Sequence, residues 1–295
     1  INHVLVSGKN AKGDIIIPDG VTDIIGRAFA NNTEMTSVFI PESVTNIVDA
    51  AGTVAFLTCS ALTKIEVSEN NPVYASEDGV LFNKKKEILI QYPVGNSRTE
   101  YTIPDGVQII ADSAFYNAKN LTSVTIPEGV AALEARSFYG CSGLVSVTIP
   151  KSVESIGGAS FNRCTVLKSV VIQNPECKFY DRTFSNEGAE FSGTLYVPEG
   201  SEAQVYAEKY YSQNFSLISS EPETTEAKEF TPGDADGSGK VDILDVITIN
   251  KAILGKETLT AEQLKAADIN QNDKPDAADS LAVMKFIVGL ITSFS

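Results

Sequence analysis

The stretch Thr122-Ser123-Val124-Thr125-Ile126-Pro127-Glu128-Gly129-Val130 decides the fold of most of the chain, because close copies of it recur through the N-terminal two thirds. Its Thr-Ile-Pro triplet is repeated 23 residues earlier at Thr102 and 23 residues later at Thr148. Three phenylalanines recur at the same step: Phe115, Phe138 and Phe161. A fixed period of this length indicates a repeat architecture in which one structural unit is copied along the chain.

Each copy predicts a short β-strand followed by a return path. Val124 and Ile126 alternate with hydroxyl residues, so one face of the strand is apolar. Pro127 ends the strand, since proline has no N–H to donate to a neighbouring strand. A single copy cannot bury this face alone, so we expect stacked copies that form a solenoid with a parallel sheet along one side.

The rest of each copy supplies further inward-pointing apolar residues. We expect Val130 and Leu133 to point inward from a tight turn. The segment around Phe138 is predicted to be a short helical or 3₁₀ piece, and Leu144 then closes the coil.

Eight predicted strand rows can be marked by one apolar residue each, and their spacings are 23, 27, 36, 23, 23, 23 and 25. The markers are Ile17, Ile40, Val67, Ile103, Ile126, Ile149, Ile172 and Val197. Stacked about 4.8 Å apart, these rows predict one sheet roughly 40 Å long. The 36-residue step indicates an insertion near residues 71–92, in which Val80-Leu81-Phe82 and Ile88-Leu89-Ile90 form two strands around the basic turn 84–86.

These repeats resemble the BspA-like (type 5) class of bacterial leucine-rich repeats over residues 1–218. The resemblance implies a curved right-handed solenoid, and it implies a role in binding or adhesion. The family often carries an insertion that reads like residues 71–82 of this chain. Residues 173–218, with a helix-like run from Ser201 to Tyr211, are predicted to cap the C-terminal end, and His3 to Val6 the other end.

The outward strand positions are mostly small and hydroxylic, as at Thr102, Thr125 and Thr148. This pattern fits β-propensity on a wet sheet face, or a shallow surface for a peptide or glycan, or, more remotely, ordered water. The chain has no Trp, the aromatic residue that sugar platforms use most. Tyr116 and Tyr139 are predicted to stack at one edge, for packing or as a sugar cradle.

Composition excludes several classes of function. A net charge of −15 argues against nucleic acid, since phosphate binding requires clustered Lys and Arg. An apolar run of 18 residues, as a membrane helix requires, does not occur in the sequence. The single histidine, His3, stands at a terminus, so a Ser–His or Cys–His catalytic pair inside the stack is excluded. Cys59, Cys141 and Cys164 each follow a repeat Phe by three residues and are predicted to be buried thiols, with a Cys141–Cys164 bridge as the alternative.

A second duplication lies near the C-terminus. In the loop from Asp234 to Asp245, oxygen-bearing side chains occupy places 1, 3, 5, 9 and 12 of twelve, with Gly239 at place 6. Calcium takes six to eight oxygen ligands, and this spacing lets one loop surround it. A loop of the same design, Asp268 to Asp279, follows 34 residues later. Each loop precedes an apolar helical run, whereas Pro232-Gly233 leaves no room for an entering helix.

Residues 230–295 therefore resemble the type I dockerin of cellulosomal proteins, a small all-α duplicated F-hand. The resemblance implies two Ca²⁺ ions and docking onto a cohesin domain of a scaffoldin. It assigns the first ion to Asp234, Asp236, Ser238, the Lys240 carbonyl, Asp242 and Asp245. It assigns the second ion to Asp268, Asn270, Asn272, the Lys274 carbonyl, Asp276 and Asp279. Partner contacts are implied at loop places 10 and 11 and on the following helices: Ile243, Leu244, Ile247, Lys251, Ala277, Ala278, Leu281 and Lys285.

The second loop departs from the pattern. Place 6 is Asp273 instead of Gly, which puts a side chain in a left-handed turn at some cost. Place 8 is Pro275, which cannot donate a hydrogen bond to the other loop. We therefore predict that the second calcium site is weaker or distorted.

The whole chain then reads as a solenoid (1–218), an acidic linker (219–229) and a docking module (230–295). We expect a secreted, extracellular and non-catalytic protein, associated with a cellulosome or cell surface and with polysaccharide degradation, whose solenoid binds an unknown protein or glycan. The start at Ile1 suits a processed or truncated product. The alternatives are a regulatory or inhibitory module for cellulosomal enzymes, and a fragment of a larger enzyme cut before Ile1.

Overall fold

A computed structural model describes residues 3–47, 54–180, 183–184, 191–218, 232–236, 241, 243–256, 259, 261–272 and 274–293. The chain divides into two compact units, Ile1–Ser220 (unit one) and Glu221–Ser295 (unit two). The predicted linker 219–229 lies outside the described residues. No helix in the described ranges is long and apolar enough to cross a membrane.

The regular elements in the described part of unit one are short strands and one helix, joined by turns. In chain order these are β1 (His3–Leu5), β2 (Gly13–Ile16), β3 (Val21–Ile24), β4 (Met35–Ile40), β5 (Lys64–Val67), β6 (Tyr74–Glu77), β7 (Val80–Asn83), β8 (Ile88–Gln91), β9 (Glu100–Thr102), β10 (Ile109–Ile110), β11 (Ser123–Thr125), β12 (Ala132–Leu133), β13 (Ser146–Ile149), β14 (Ser155–Ile156), β15 (Ser169–Ile172), β16 (Lys178–Phe179), β17 (Thr194–Pro198), helix α1 (Glu202–Tyr210) and β18 (Phe215–Ile218). The solenoid predicted from the 23-residue repeat is confirmed.

The predicted strand rows form two parallel sheets instead of one. The first holds β2, β4 and β5, and the second holds β9, β11, β13, β15, β17 and the unpredicted β18. The registers follow the repeat, with Ser146 opposite both Ser123 and Ser169. The prediction of a single continuous sheet is wrong because the insertion lies beside β5, where the Ile65 N–H donates to the Gly79 carbonyl at 2.8 Å.

A second parallel ladder was missed by the sequence. Its order is β16-β14-β12-β10-β8, continued by β7 and β6 of the insertion, and it lies where a tight turn was predicted. Several of its strands are two residues long, such as β12 with Leu133, and two residues are too few to show an alternating pattern. The inward direction predicted for Val130 and Leu133 is confirmed, since both are buried.

The predicted helical piece around Phe138 is wrong, and the segment is a series of turns. Arg136 and Gly140 adopt positive φ angles of 55° and 71°, so a right-handed helix cannot continue through them. Alternate N–H groups instead donate to the next coil, as from Phe138 to the Ser160 carbonyl at 2.9 Å. Each coil is thus bonded to its neighbour at this corner too.

Stacked aromatic rings fill the centre of the coils. The rings of Phe138 lie 4.7 Å from Phe115 and 5.2 Å from Phe161, and the Phe161–Phe184 distance is 5.4 Å. The cysteine positions beside this stack are buried as predicted, and all four thiols are free. Three of them donate to carbonyl groups of the preceding coil at 3.1–3.2 Å: Cys59, Cys141 and Cys164.

The insertion joins the two halves of the core. The antiparallel pair predicted around the basic turn is confirmed in β7 and β8, and β6 adds a third strand. Leu81 packs with the N-terminal apolar cluster, whereas Phe82 packs with the C-terminal one. The apolar core is therefore continuous through the insertion, although the sheet formed by the strand rows is interrupted there.

The C-terminal cap has the predicted helix. The Ser201 side chain accepts a hydrogen bond from the Gln204 N–H and begins α1, which packs Ala203, Tyr206 and Ala207 inward. At the other end, β1 pairs with β3, and His3 is exposed.

The described part of unit two contains three helices: α2 (Ile243–Ile253), α3 (Ala261–Ala267) and α4 (Ala277–Ile287). A turn at Pro232-Gly233 precedes the first loop, as the missing entering helix predicts. Six buried apolar residues of this part form a small cluster: Ala235, Val246, Ile249, Leu259, Ala267 and Val283.

Candidate functional site

The first loop of unit two brings three carboxylates together. Oxygen atoms of Asp234, Asp236 and Asp245 all lie within 4.8 Å of one another. Asp245 stands in the first turn of α2 and is fully buried, while the two other acids precede the helix and are half-buried. The backbone N–H of Asp236 donates to Asp245 Oδ1 at 3.0 Å and holds the loop against the helix.

The turn before this loop is fixed from outside. Gly233 has a φ of 93°, which favours glycine, and its N–H donates to the Ala266 carbonyl of α3 at 2.9 Å. The remaining predicted ligands of this loop, Ser238, Lys240 and Asp242, lie outside the described residues.

The second loop repeats the same central contact. The N–H of Asn270 donates to Asp279 Oδ1 at 3.0 Å, which is the equivalent of the Asp236–Asp245 bond. Asp279 is fully buried, and its Oδ2 accepts a hydrogen bond from the Asp276 N–H at 2.7 Å. These two acids form a capping box that begins α4.

Asparagine amides occupy places 3 and 5 of the second loop, where the first loop has Asp236 and Ser238. Asn272 donates from its N–H to Asp268 Oδ1 at 2.9 Å and from its side-chain amide to Asp276 Oδ2 at 2.8 Å. The Asn272 amide, followed by the Ala278 N–H, lowers the pKa of Asp276 below its ordinary value. Within the described ranges, only the first loop gathers three acids so closely; Asp273 lies outside those ranges.

The donor chemistry of both loops fits a hard cation. Clustered carboxylates repel one another, and a buried carboxylate such as Asp245 or Asp279 is costly without a compensating charge. Calcium binds carboxylate, amide and backbone oxygens in flexible geometry, and these are the atoms that the loops present. The first loop is the better formed for this ion, because its acids already converge.

The predicted partner residues that the structure describes lie on the surface of unit two. Ile243, Ile247 and Leu281 are exposed by 48%, 44% and 53%. Lys251, Ala277, Ala278 and Lys285 are exposed too, whereas the side chain of Leu244 lies outside the described residues. Other exposed apolar residues were not singled out from the sequence: Ile253, Leu254, Leu264, Val288 and Leu290. The signal for them was available, since α2 and its C-terminal turn carry more apolar residues than one buried face holds.

The outer sheet face of unit one is exposed at its threonine positions. Thr102, Thr125 and Thr148 all point to solvent, and Thr102 lies opposite Thr125. In the same series of outward positions, the Ser37 side chain is buried against its strand neighbour Asp14 and donates to Asp14 Oδ1 at 2.5 Å.

The predicted stacking of Tyr116 and Tyr139 is confirmed. Their ring centroids are 4.7 Å apart and the rings are nearly parallel. The Arg163 guanidinium lies over the Tyr139 ring, 5.7 Å from its centroid. The faces of the Tyr139 ring are therefore used within the protein, which favours the packing interpretation over a sugar cradle.

Comparisons with known proteins agree with this architecture. The BspA type leucine rich repeat region matches residues 8–88 and 94–197 in six copies. The dockerin type I domain matches residues 232–288. No curated protein matches the chain.

Solved structures of bacterial repeat proteins are similar to unit one. A leucine-rich repeat protein from Eubacterium ventriosum is 35% identical, with a TM-score of 0.56, over 63% of this chain and 48% of that one. A leucine rich cell surface protein from Faecalibacterium prausnitzii is 25% identical, with a TM-score of 0.50, over 66% of this chain and 62% of that one. The chain thus spans about half to three fifths of the length of these relatives.

The two family matches fall on the two units, and their general properties agree with the geometry of each. Type I dockerins bind calcium and imply a cohesin partner, which fits the paired acidic loops of unit two. Leucine-rich repeats imply protein interaction, and neither family is catalytic. The repeat match covers well over half of the sequence, so the chain belongs to the BspA-type leucine-rich repeat family and carries a C-terminal type I dockerin domain.

Proposed function

We propose that this chain is a secreted, non-catalytic component of a cellulosome, attached through a calcium-dependent contact between its dockerin and a scaffoldin cohesin. The observation that carries the proposal is the convergence of Asp234, Asp236 and Asp245 within 4.8 Å at the start of α2. The repeated 3.0 Å bond in the second loop supports a paired arrangement.

Two Ca²⁺ ions hold the dockerin in shape in this proposal. The first is bound by Asp234, Asp236, Ser238, the Lys240 carbonyl, Asp242 and Asp245. The second is bound by Asp268, Asn270, Asn272, the Lys274 carbonyl, Asp276 and Asp279. The second site is the weaker, because the Asn270 amide replaces the carboxylate of Asp236 and Pro275 follows Lys274.

The docking face combines exposed apolar and basic side chains of α2 and α4. Ile243 and Ile247 form the apolar anchor of the first copy, with Leu244 beside them, and Lys251 lies further along the same helix. In the second copy the corresponding residues are Ala277, Ala278, Leu281 and Lys285. The first copy presents the larger apolar surface, so we expect it to dominate the contact.

In this proposal the solenoid is the binding domain that docking attaches to the scaffoldin. Its domain spans residues 1–218 in this proposal, followed by an acidic linker (219–229) and the dockerin (230–295). Members of both families are typically extracellular, where calcium is abundant. A binding or adhesion role in an assembly for polysaccharide degradation follows, with a protein or glycan as the ligand.

A pull-down on immobilised cohesins tests the docking. Full-length chain is applied in calcium and again in chelator, beside the Asp234→Ala with Asp245→Ala double variant. A matched control carries Asp19→Ala with Asp105→Ala, two exposed acids of the solenoid. We expect capture of the wild type and the control in calcium only, and no capture of the loop variant. Binding that survives chelation would remove the docking hypothesis.

A further inference from the structure

The C-terminal cap of unit one contains a groove that the sequence did not reveal. It lies between β16 and α1 and has a volume of about 320 Å³. This volume is at the lower end of the roughly 300–1,000 Å³ typical of ligand pockets, so the groove suits a short ligand. One of its walls is a sheet edge, because β16 is the terminal strand of its ladder.

The backbone of Phe179 faces this groove. The N–H of Lys178 donates to the Glu154 carbonyl at 2.9 Å, and that of Tyr180 to the Ile156 carbonyl at 3.1 Å. Both bonds point to the preceding coil, and neighbouring residues of a strand direct their polar groups to opposite sides. The Phe179 N–H and carbonyl therefore point away from that coil, and no residue of the described ranges bonds to them.

The side chains of the groove suit a peptide better than a sugar. The Phe179 and Tyr206 rings stack at 4.6 Å, and the Tyr206 and Tyr210 rings are 5.0 Å apart. The Lys209 ammonium lies 4.8 Å from the Tyr210 ring centroid. A sugar ring needs an open aromatic face, and these faces are used within the protein. Val205, by contrast, is 61% exposed in the groove and offers apolar contact to a side chain.

Charge adds a preference for acidic ligands. Lys178 and Lys209 line the groove together with Glu202, so its lining is net positive in a chain whose net charge is −15. A ligand carboxylate would meet a locally favourable potential here, which raises its association rate and selects its orientation.

We propose that this groove binds an extended peptide of another protein, added as a strand beside Phe179, with an acidic side chain near Lys178 and Lys209 and an apolar side chain against Val205. Helix α1 has nine residues and is therefore about 14 Å long, which an extended strand covers in about four residues. In this mode main-chain bonds provide affinity and alternate side chains provide specificity. The inference rests on the proposed interaction role of the solenoid and is independent of dockerin docking.

The test screens a phage-displayed library of random linear heptapeptides against the full-length chain in calcium. Enriched sequences are synthesised and their affinities measured by calorimetry for the wild type and for Val205→Asp. The matched control is Val166→Asp, since Val166 is another exposed valine of the solenoid, 43% accessible. We expect acidic sequences to be enriched and Val205→Asp to weaken them about tenfold or more, with Val166→Asp unchanged.

Two further measurements identify the binding mode. N-methylation of alternate peptide residues should abolish binding, and bound peptide should slow hydrogen exchange of the Phe179 amide. The proposal is overturned if no enriched peptide is weakened by Val205→Asp, if the methylated peptides bind equally well, or if xylohexaose protects the Phe179 amide and peptides do not. The Asp234→Ala with Asp245→Ala variant should keep its peptide affinity, which separates failure of the groove from failure of docking.

Discussion

The coils of unit one and the two loops of unit two are both repeats, but the side chains that each repeat brings together interact in opposite ways. Neighbouring coils present the same apolar side chains to each other, and the rings of Phe115 and Phe138 stack at 4.7 Å. The loops instead concentrate acids, with Asp234, Asp236 and Asp245 within 4.8 Å. Stacking is favourable without any ligand, whereas the acids repel unless a cation lies between them.

This difference indicates how each unit is stabilised. The solenoid buries a long apolar cluster that continues through the insertion. The core cluster in the described part of unit two has only six buried apolar residues. A domain this small rarely gains more than about 3–5 kcal/mol from its core, so a bound metal ion is a usual supplement. We infer that unit one folds without calcium and that unit two depends on it.

Calcium removal is the strongest test of this comparison. We expect chelator to abolish the cooperative unfolding transition of unit two and to leave that of unit one unchanged. Calcium at a thousandfold excess over its Kd contributes about 4 kcal/mol per site, and removal loses this from both sites. Calorimetry of the full chain in calcium and in chelator measures both transitions. A calorimetric trace that chelation does not alter would contradict the inferred dependence.

Truncation of one aromatic ring in the stack should destabilise unit one and leave the stability of unit two unchanged. Phe138→Ala removes a 0%-exposed ring from the middle of the stack and should destabilise unit one by about 3–5 kcal/mol through the cavity that it leaves. The control Phe39→Ala removes a partly exposed ring of β4 and should cost about 1 kcal/mol or less. Denaturant unfolding in calcium gives both values, and similar losses for the two variants would show that the stack is not the main support.

The buried side chain of Asn71 tests how much side-chain hydrogen bonds contribute to the stability of unit one. The Asn71 amide donates to the Pro41 and Val44 carbonyls at 2.8 and 2.9 Å, and its oxygen accepts from the Val73 and Tyr74 N–H groups. Asn71→Ala removes these four hydrogen bonds and should cost about 2–3 kcal/mol.

The neighbouring Asn70 serves as the matched control for Asn71. Its side chain is exposed, so Asn70→Ala should change the free energy of unfolding by less than about 0.5 kcal/mol. Equal effects of the two substitutions would mean that water replaces the Asn71 amide.

Side-chain periodicity predicted most of the solenoid, because the sequence records it directly. The strand rows and the central phenylalanines recur at 23 residues, and both were found where expected. The insertion and the cap helix were visible as breaks in that period. The loops of unit two were visible because oxygen-bearing residues must occupy fixed places to surround one ion.

The features that were not predicted from the sequence depend on backbone conformation and backbone hydrogen bonds, which place few constraints on residue type. The second ladder pairs strands as short as Ala132–Leu133. The turn at Phe138 is set by positive φ at Arg136, a residue without a known preference for that conformation. The groove beside Phe179 exists because β16 is the terminal strand of its ladder and α1 forms the facing wall, and this arrangement is a property of the assembled cap.

The smallest expected effect is the difference between substitutions in the first and the second loop of unit two. Asp234→Ala removes one of three converging carboxylates, whereas Asp268→Ala removes an acid from a loop in which the Asn270 amide already replaces the carboxylate of Asp236. The second site contributes less calcium affinity in the wild type, so its loss should cost less. We expect the two single variants to differ about tenfold in the calcium concentration required for cohesin capture, equivalent to about 1.4 kcal/mol. Calcium titration of each variant by calorimetry measures the remaining site alone. Two equally tight sites, or a stronger effect of Asp268→Ala, would show that the Asn270 and Asn272 amides bind the ion as well as carboxylates do.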